Sequence, residues 1–184
     1  MLFRSIAERL DDEESVVVRV HPAMIPRSHP LASVREAFNA VFVEADAAGS
    51  LMFYGRGAGG APTASAVLGD LVAVARNKMS GKRGPGESIY ADLKVKPVSQ
   101  AQTSYYISLQ VADKPGVLAQ ISKTIADNNV SIQTVRQDGL ENDAQLVIRT
   151  HKALEKDLAK TLESLGKLDV VKEISDYMRV EGDN

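Results

Sequence analysis

The stretch 105–135, YYISLQVADKPGVLAQISKTIADNNVSIQTV, constrains the fold most, because three elements and the joints between them can be read from it. Ile107, Leu109 and Val111 alternate with Tyr106, Ser108 and Gln110, the period-two pattern of a strand with one buried face. Asp113-Lys114-Pro115-Gly116 breaks that strand. Val117, Leu118, Ile121 and Ile125 then fall on one side of a helix, Asn128-Asn129 stops it, and Val130 and Ile132 open a new strand.

The turn is the chemically suggestive part. Pro115 has no N–H to leave unpaired at a helix start, and Gly116 lets the backbone come close to a ligand. The free amides of a first helical turn form an anion site, suited to the carboxylate of a free amino acid, with Asp113 to take its ammonium. A plain turn and helix cap needs the same residues, and the four alone favour that simpler reading. Lys114 reads as exposed, not as a base.

The following residues complete a recognisable plan. The chain turns at 138–142 and runs back over 144–150 with Ala144, Leu146 and Ile148 on one face. A second amphipathic helix is expected over 153–165, with Leu154, Leu158, Thr161, Leu162 and Leu165 inward. A last strand over 170–180 turns Ile174, Met178 and Val180 to the core. The order β-α-β-β-α-β, with helices on one face of an antiparallel sheet, is ferredoxin-like, and the fold class is α+β.

On the D-K-P-G-V-L turn and the strand carrying Ile132-Gln133, residues 104–181 resemble the ACT domain, a regulatory amino-acid-binding unit. The resemblance implies an effector site between Asp113, Lys114, Pro115, Gly116, Val117 and Leu118 of one domain and Ile132 and Gln133 of a partner domain. ACT domains often carry Asn where Gln133 stands, which leaves side-chain preference open.

Composition sets outer bounds. An apolar fraction of 44% suits packed cores, and a net charge of −2 with no basic run longer than Lys82-Arg83 argues against nucleic acid as a partner. The absence of cysteine excludes disulfides, thiolate catalysis and cysteine-ligated zinc, and agrees with a cytoplasmic location. His21, His29 and His151 lack metal-ligand spacing and read as structural, and the acidic run Asp11, Asp12, Glu13 and Glu14 reads as a solvated loop. No membrane span or signal peptide is expected from the short apolar runs near the N-terminus.

The first part of the chain is again α+β. Leu2, Phe3, Ile6 and Leu10 are spaced like the last turns of a longer helix, so the start is expected to be abrupt. A valine-rich strand is expected over 15–21, extended backbone at 22–26, a short helix over 31–38, and a hairpin of strands 39–44 and 50–54 about a turn at 47–49. Gly55-Arg56-Gly57-Ala58-Gly59-Gly60 fits G-x-G-x-x-G between a strand and a helix over 62–76. As a dinucleotide fingerprint it fails, because no second parallel strand and no strand-end acid follow.

The V-H-P, H-P-L-A, F-N-A-V and Y-G-x-G-A-G-G-A-P-T-A-S-A-V blocks of 19–77 resemble, in family order, the closing part of homoserine dehydrogenases, most closely the actinobacterial type with a Gly/Pro/Lys linker and a C-terminal ACT domain. The resemblance implies three parts: 1–78, the end of the substrate and dimerisation domain, with a mixed or antiparallel sheet; 79–103, a linker; and 104–184, the ACT domain. It further implies reduction of aspartate 4-semialdehyde to homoserine with NADPH or NADH, on the route to threonine, methionine and isoleucine.

The family's Rossmann domain and catalytic lysine have no counterpart here, so no catalytic or metal-binding residue is assigned, and the chain is expected to bind no cofactor and to be inactive alone. Gly55, Gly57 and Gly59 are expected near the cofactor of the intact enzyme. The helix face of Ala66, Val67, Leu71, Val74 and Ala75 is expected, without the Rossmann sheet, to be exposed or paired with something else. Threonine is the expected effector, and homo-oligomers are expected to form through ACT domains. The alternatives are a stand-alone amino-acid-binding regulator and a dimerisation module.

Overall fold

The computed structural model describes residues 2–10, 14–84, 91–140 and 143–182. Asp11, Asp12 and Glu13 of the expected acidic loop, Pro85 and Gly86 of the expected linker, and Glu141 and Asn142 of the expected turn lie outside them. In chain order the elements are β1 (Leu2–Arg9), β2 (Ser15–Met24), β3 (Phe38–Ala45), β4 (Gly49–Arg56), α1 (Gly60–Met79), β5 (Lys94–Lys96), β6 (Gln102–Ala112), α2 (Val117–Asp127), β7 (Ile132–Leu140), β8 (Asp143–Thr150), β9 (Ala153–Leu154), α3 (Glu155–Leu165) and β10 (Val171–Val180). They divide into two compact units, Met1–Pro26 with Asp92–Asn184, and Arg27–Ala91.

In the first unit β6-α2-β7-β8-α3-β10 is the expected ferredoxin-like module, its strands ordered β10-β6-β8-β7 and all antiparallel. The alternation in β6 does what the sequence pattern asks: Ile107 and Leu109 are fully buried against Leu146 and Ile148 of β8 and against the helices. Helix α2 supplies Val117, Ile121 and Ile125, one residue per turn. Asn128 caps its C-terminus, its side chain donating to the Thr124 carbonyl at 2.8 Å, and Asn129 takes a left-handed φ of 61° that Asn tolerates well. Helix α3 buries Leu158, Thr161 and Leu165, and Glu155 and Asp157 in its first turn favour the positive end of its dipole.

Four expectations need correction. Leu118 does not join the inner stripe; it sits one residue, about 100° of helix, beyond Val117 and is exposed. Of the expected turn over 138–142, residues 138–140 are strand, because β7 stays paired with β8 as far as Leu140 opposite Asp143. The expected helix over 31–38 is a single 3-10 turn, Pro30–Ser33, and cannot continue, since Val34 is extended and Glu36 takes a φ of 57°.

The fourth correction concerns the N-terminus, which is a strand. β1 pairs antiparallel with β2 along its whole length, and Ser5, Ala7 and Arg9 are exposed while Ile6 and Glu8 are half-buried, so cross-strand pairing overrides the helical spacing.

This strand pair also shifts the domain division expected from sequence. β2 extends the module's sheet by parallel pairing with β10, Ala23 opposite Arg179 and Met24 opposite Val180. Within the expected linker, β5 pairs with the start of β2 and a 3-10 turn spans Val98–Gln100, followed by the fully buried Ala101. Residues matched by pattern to the first part thus lie in the second part's sheet.

In the second unit β3 and β4 form a two-stranded antiparallel sheet turning at Gly49, whose φ is 66°. One face carries Phe38 stacked on Tyr54 at 4.8 Å, Arg56 above Phe38, and the His29 ring edge-on to Phe42 at 4.8 Å. The other presents Val41, Val43, Leu51 and Phe53 exposed. Helix α1 has no buried residue, and its face of Val67, Leu71 and Val74 is exposed, as expected.

One side-chain cluster ties α3 to the sheet. The Tyr105 hydroxyl donates to Glu155 Oε1 at 2.9 Å, Arg179 Nε donates to Glu155 Oε2 at 3.1 Å, and the Arg179 guanidinium lies over the Tyr105 ring. Burial, and then the Glu155 charge, push the Tyr105 phenol well above the usual tyrosine range, with Arg179 opposing.

Two outcomes are expected. Leu109→Ala should lower unfolding free energy in guanidinium by about 2–5 kcal/mol, whereas Leu118→Ala should stay within about 0.5 kcal/mol. Tyr105→Phe should cost about 1.5–3 kcal/mol at neutral pH, since the hydroxyl donates to a carboxylate. A raised folded-state value means that the wild-type advantage is complete below the ordinary tyrosine pKa of about 10 and is lost as pH rises past it. Parallel denaturation curves at pH 7 and at alkaline pH measure that convergence.

Candidate functional site

The 113–118 turn is built by the backbone. Lys114 N donates to the Ala112 carbonyl at 3.1 Å, Val117 N to the Lys114 carbonyl at 3.4 Å, and Gln120 N to the Gly116 carbonyl at 3.0 Å. Gly116 precedes α2 in the left-handed region, with φ 89°, and no side chain caps the helix. A Cβ there would meet nothing within 4 Å, so conformation and not crowding calls for glycine, and the space above it is open.

Against this turn lies a cavity of about 70 Å³ bordered by Ala112, Lys114, Gly116, Val117, Leu118 and Gln137. That is well below the roughly 300–1,000 Å³ of typical small-molecule sites. Asp113 is exposed and accepts a hydrogen bond from Gln137 Nε2 at 3.2 Å.

Of the residues singled out in sequence, Lys114, Gly116, Val117 and Leu118 meet around this cavity, Asp113 is bonded beside it, and Pro115 is exposed in the turn. Ile132 and Gln133 are not among its lining residues. Ile132 packs on the core, and Gln133 is the extra residue of a bulge, because Ile132 pairs with Thr150 and Thr134 with Arg149. Gln137 was missed. Its signal was the length of β7: a strand reaching Leu140 carries position 137 back alongside the turn, where an early hairpin would not.

In the second unit the glycine-rich loop enters α1. Gly59 is the residue before the helix and has φ 126°, a conformation that L side chains rarely adopt. A Cβ on Gly57 would fall 1.7 Å from Asn39 Nδ2, so Gly57 accommodates the neighbouring strand's side chain. Gly55 meets nothing within 4 Å and is the one of the three with open space at its Cα. The loop and the first turns of α1 border an open depression lined by Gly57, Gly59, Thr63, Ala64 and Val67.

His21 and His29 take structural positions, His21 buried with Nδ1 3.0 Å from the Pro22 carbonyl and His29 Nδ1 accepting from Leu31 N at 3.2 Å. Among the described residues no group of His, Cys, Asp and Glu is arranged to hold a metal ion, and no helix is long and apolar enough to cross a membrane.

Comparison with known proteins adds two family matches. Residues 2–72 match the family described as homoserine dehydrogenase, and residues 105–170 match the ACT domain. The chain is 50% identical to the homoserine dehydrogenase of Corynebacterium glutamicum over 182 residues, covering 97% of this chain and 41% of that enzyme. It is 52% identical to that of Mycobacterium tuberculosis over 187 residues, covering 97% and 42%. Among solved structures, a homoserine dehydrogenase from Thiobacillus denitrificans superposes with a TM-score of 0.82 at 33% identity, covering 97% of this chain and 42% of that one. The chain thus spans about two-fifths of the length of the relatives it matches. The chain is thus similar to the C-terminal portion of actinobacterial homoserine dehydrogenases, and its residues 105–170 match the ACT domain.

Proposed function

We propose that this chain is the regulatory, C-terminal portion of an NAD(P)-dependent homoserine dehydrogenase, which interconverts L-homoserine and L-aspartate 4-semialdehyde in the cytoplasm. The observation that carries the reading is the match of 97% of the chain at 50% identity, through both family segments in one order. In the intact enzyme NADP or NAD supplies or receives the hydride. The loop here does not cradle a dinucleotide by itself, since Gly57 faces Asn39 and no strand-end acid follows it. Gly55, with its open Cα, is where this loop has room for a neighbouring group, and Gly57 and Gly59 shape the approach to it.

The ACT domain takes an amino-acid effector, with threonine first in order, as an end product of the route the enzyme serves. Its carboxylate meets the uncapped N-terminus of α2, and its ammonium meets Asp113. The cavity of one chain is small, which favours a site finished by Ile132 and Gln133 of a second copy. The outer position of β7 in the sheet supports such pairing through ACT domains. Coupling of about 1–3 kcal/mol between this site and catalysis would change activity several-fold to a hundredfold.

Calorimetric titration of the chain with threonine, beside isoleucine, methionine and lysine, tests the site. Saturable threonine binding is expected, weakened by about tenfold or more in Asp113→Ala, a loss of about 1.4 kcal/mol. If none of the four binds to a folded dimer, the module serves assembly alone, and if Asp113→Ala binds as well as wild type, the assigned turn is wrong. For the loop, Gly59→Ala should destabilise the second unit by about 1–3 kcal/mol. Gly57→Ala should do so only while Asn39 is present, with Asn39→Ala restoring protection in limited proteolysis.

A further inference from the structure

The two family segments meet inside one sheet, and a single carboxylate gathers the meeting point. Glu181, just past β10, donates its backbone N–H to the Met24 carbonyl at 2.9 Å. Its side chain accepts from Arg19 Nε at 3.3 Å and Nη2 at 3.1 Å, and from Thr103 Oγ1 at 3.4 Å. His21 Nε2 lies 3.4 Å from the same oxygen, out of line for a hydrogen bond. Arg19 also donates to Glu8 at 2.7 Å and its side chain is only 3% exposed. Burial opposes the Arg19 charge, and the bonds and charges of the two carboxylates outweigh it, so its pKa is raised.

β10 links this point to the effector turn. At its start Val171 faces Val111, and the Ala112 N–H, next to the turn, donates to the Val170 carbonyl at 3.0 Å. At its end it lies on β2. Between the two ends Lys172 and Ser175 are extra residues at shifts of register, so the strand carries two bulges where its pairing can adjust. A strand that is paired at both ends and irregular in the middle can convert a change at the turn into a change at Glu181.

We propose that β10, acting through Glu181 on Arg19, is the element by which occupation of the 113–118 turn is felt in β2, the strand belonging to the homoserine dehydrogenase segment. The proposal rests on the effector reading above. Arg19 and Glu181 are positioning residues, and neither lines the cavity beside the 113–118 turn.

Hydrogen exchange on the full chain tests it, using Glu181→Gln, which leaves Arg19 its Glu8 partner, with Arg19→Lys as the conservative second variant and the exposed Glu163→Gln as control. Without ligand, Glu181→Gln should speed exchange in 15–24 at least about tenfold while β6 and β8 keep their protection, with Arg19→Lys intermediate. Unchanged exchange in 15–24, or an equal loss throughout the chain, overturns the coupling. With threonine, wild type should gain protection in 15–24, and Glu181→Gln should bind threonine with similar affinity but gain none there. Binding that leaves 15–24 of wild type unmoved overturns the inference and spares the effector site. Failure of threonine to bind overturns the effector reading and, with it, this route.

Discussion

Everything in the first unit depends on β6 being paired along both edges and fully buried on its core face. β10 and β8 take its hydrogen bonds on either side, while Ile107 and Leu109 pack into the helices and Ser108 is closed over on the other face. Such a strand has no free edge, and one of its faces is fully buried while the other is only partly covered, so its register is fixed by which side chains face the core. The turn that follows inherits that rigidity. Asp113 and Gly116 stand at the end of the best-buried strand in the molecule, which lets a short exposed loop hold its shape without a capping side chain.

The junction of β2 with β10 shows how far a family boundary can differ from a physical one. The homoserine dehydrogenase match begins at residue 2, yet residues as far as Pro26 share a compact unit with the ACT domain. Two backbone pairs hold the strands together, a weak seam by itself, and the buried Arg19–Glu181 contact closes over it. Breaking one partner of a buried pair is much more damaging than never having had it, which makes this seam selective for its own partner.

How much of this could be read from the sequence varies with the source of order. The β-α-β-β-α-β module was legible because its periodicities are strong: Ile107, Leu109 and Val111 at two, Val117, Ile121 and Ile125 at four. Leu118 was misassigned because an apolar residue beside a helical stripe looks like part of it. β1 was misread because its spacing fits a helix, and only the distant β2 decides otherwise. In the site, the turn was visible and Gln137 was not, since its position follows from register and not from local pattern. The Arg19–Glu181 pair spans 162 positions, and nothing local at either residue announces the other.

That separation also bears on how the chain reaches its fold. The hairpin of β7 and β8 and the helices beside it close over short loops, whereas β2 pairs with β10 across more than 150 residues. Closing so long a loop carries an entropic cost that grows slowly with length but must be met before any contact rewards it. The ferredoxin-like module therefore closes over shorter loops than the β2–β10 pairing, which carries the larger entropic cost.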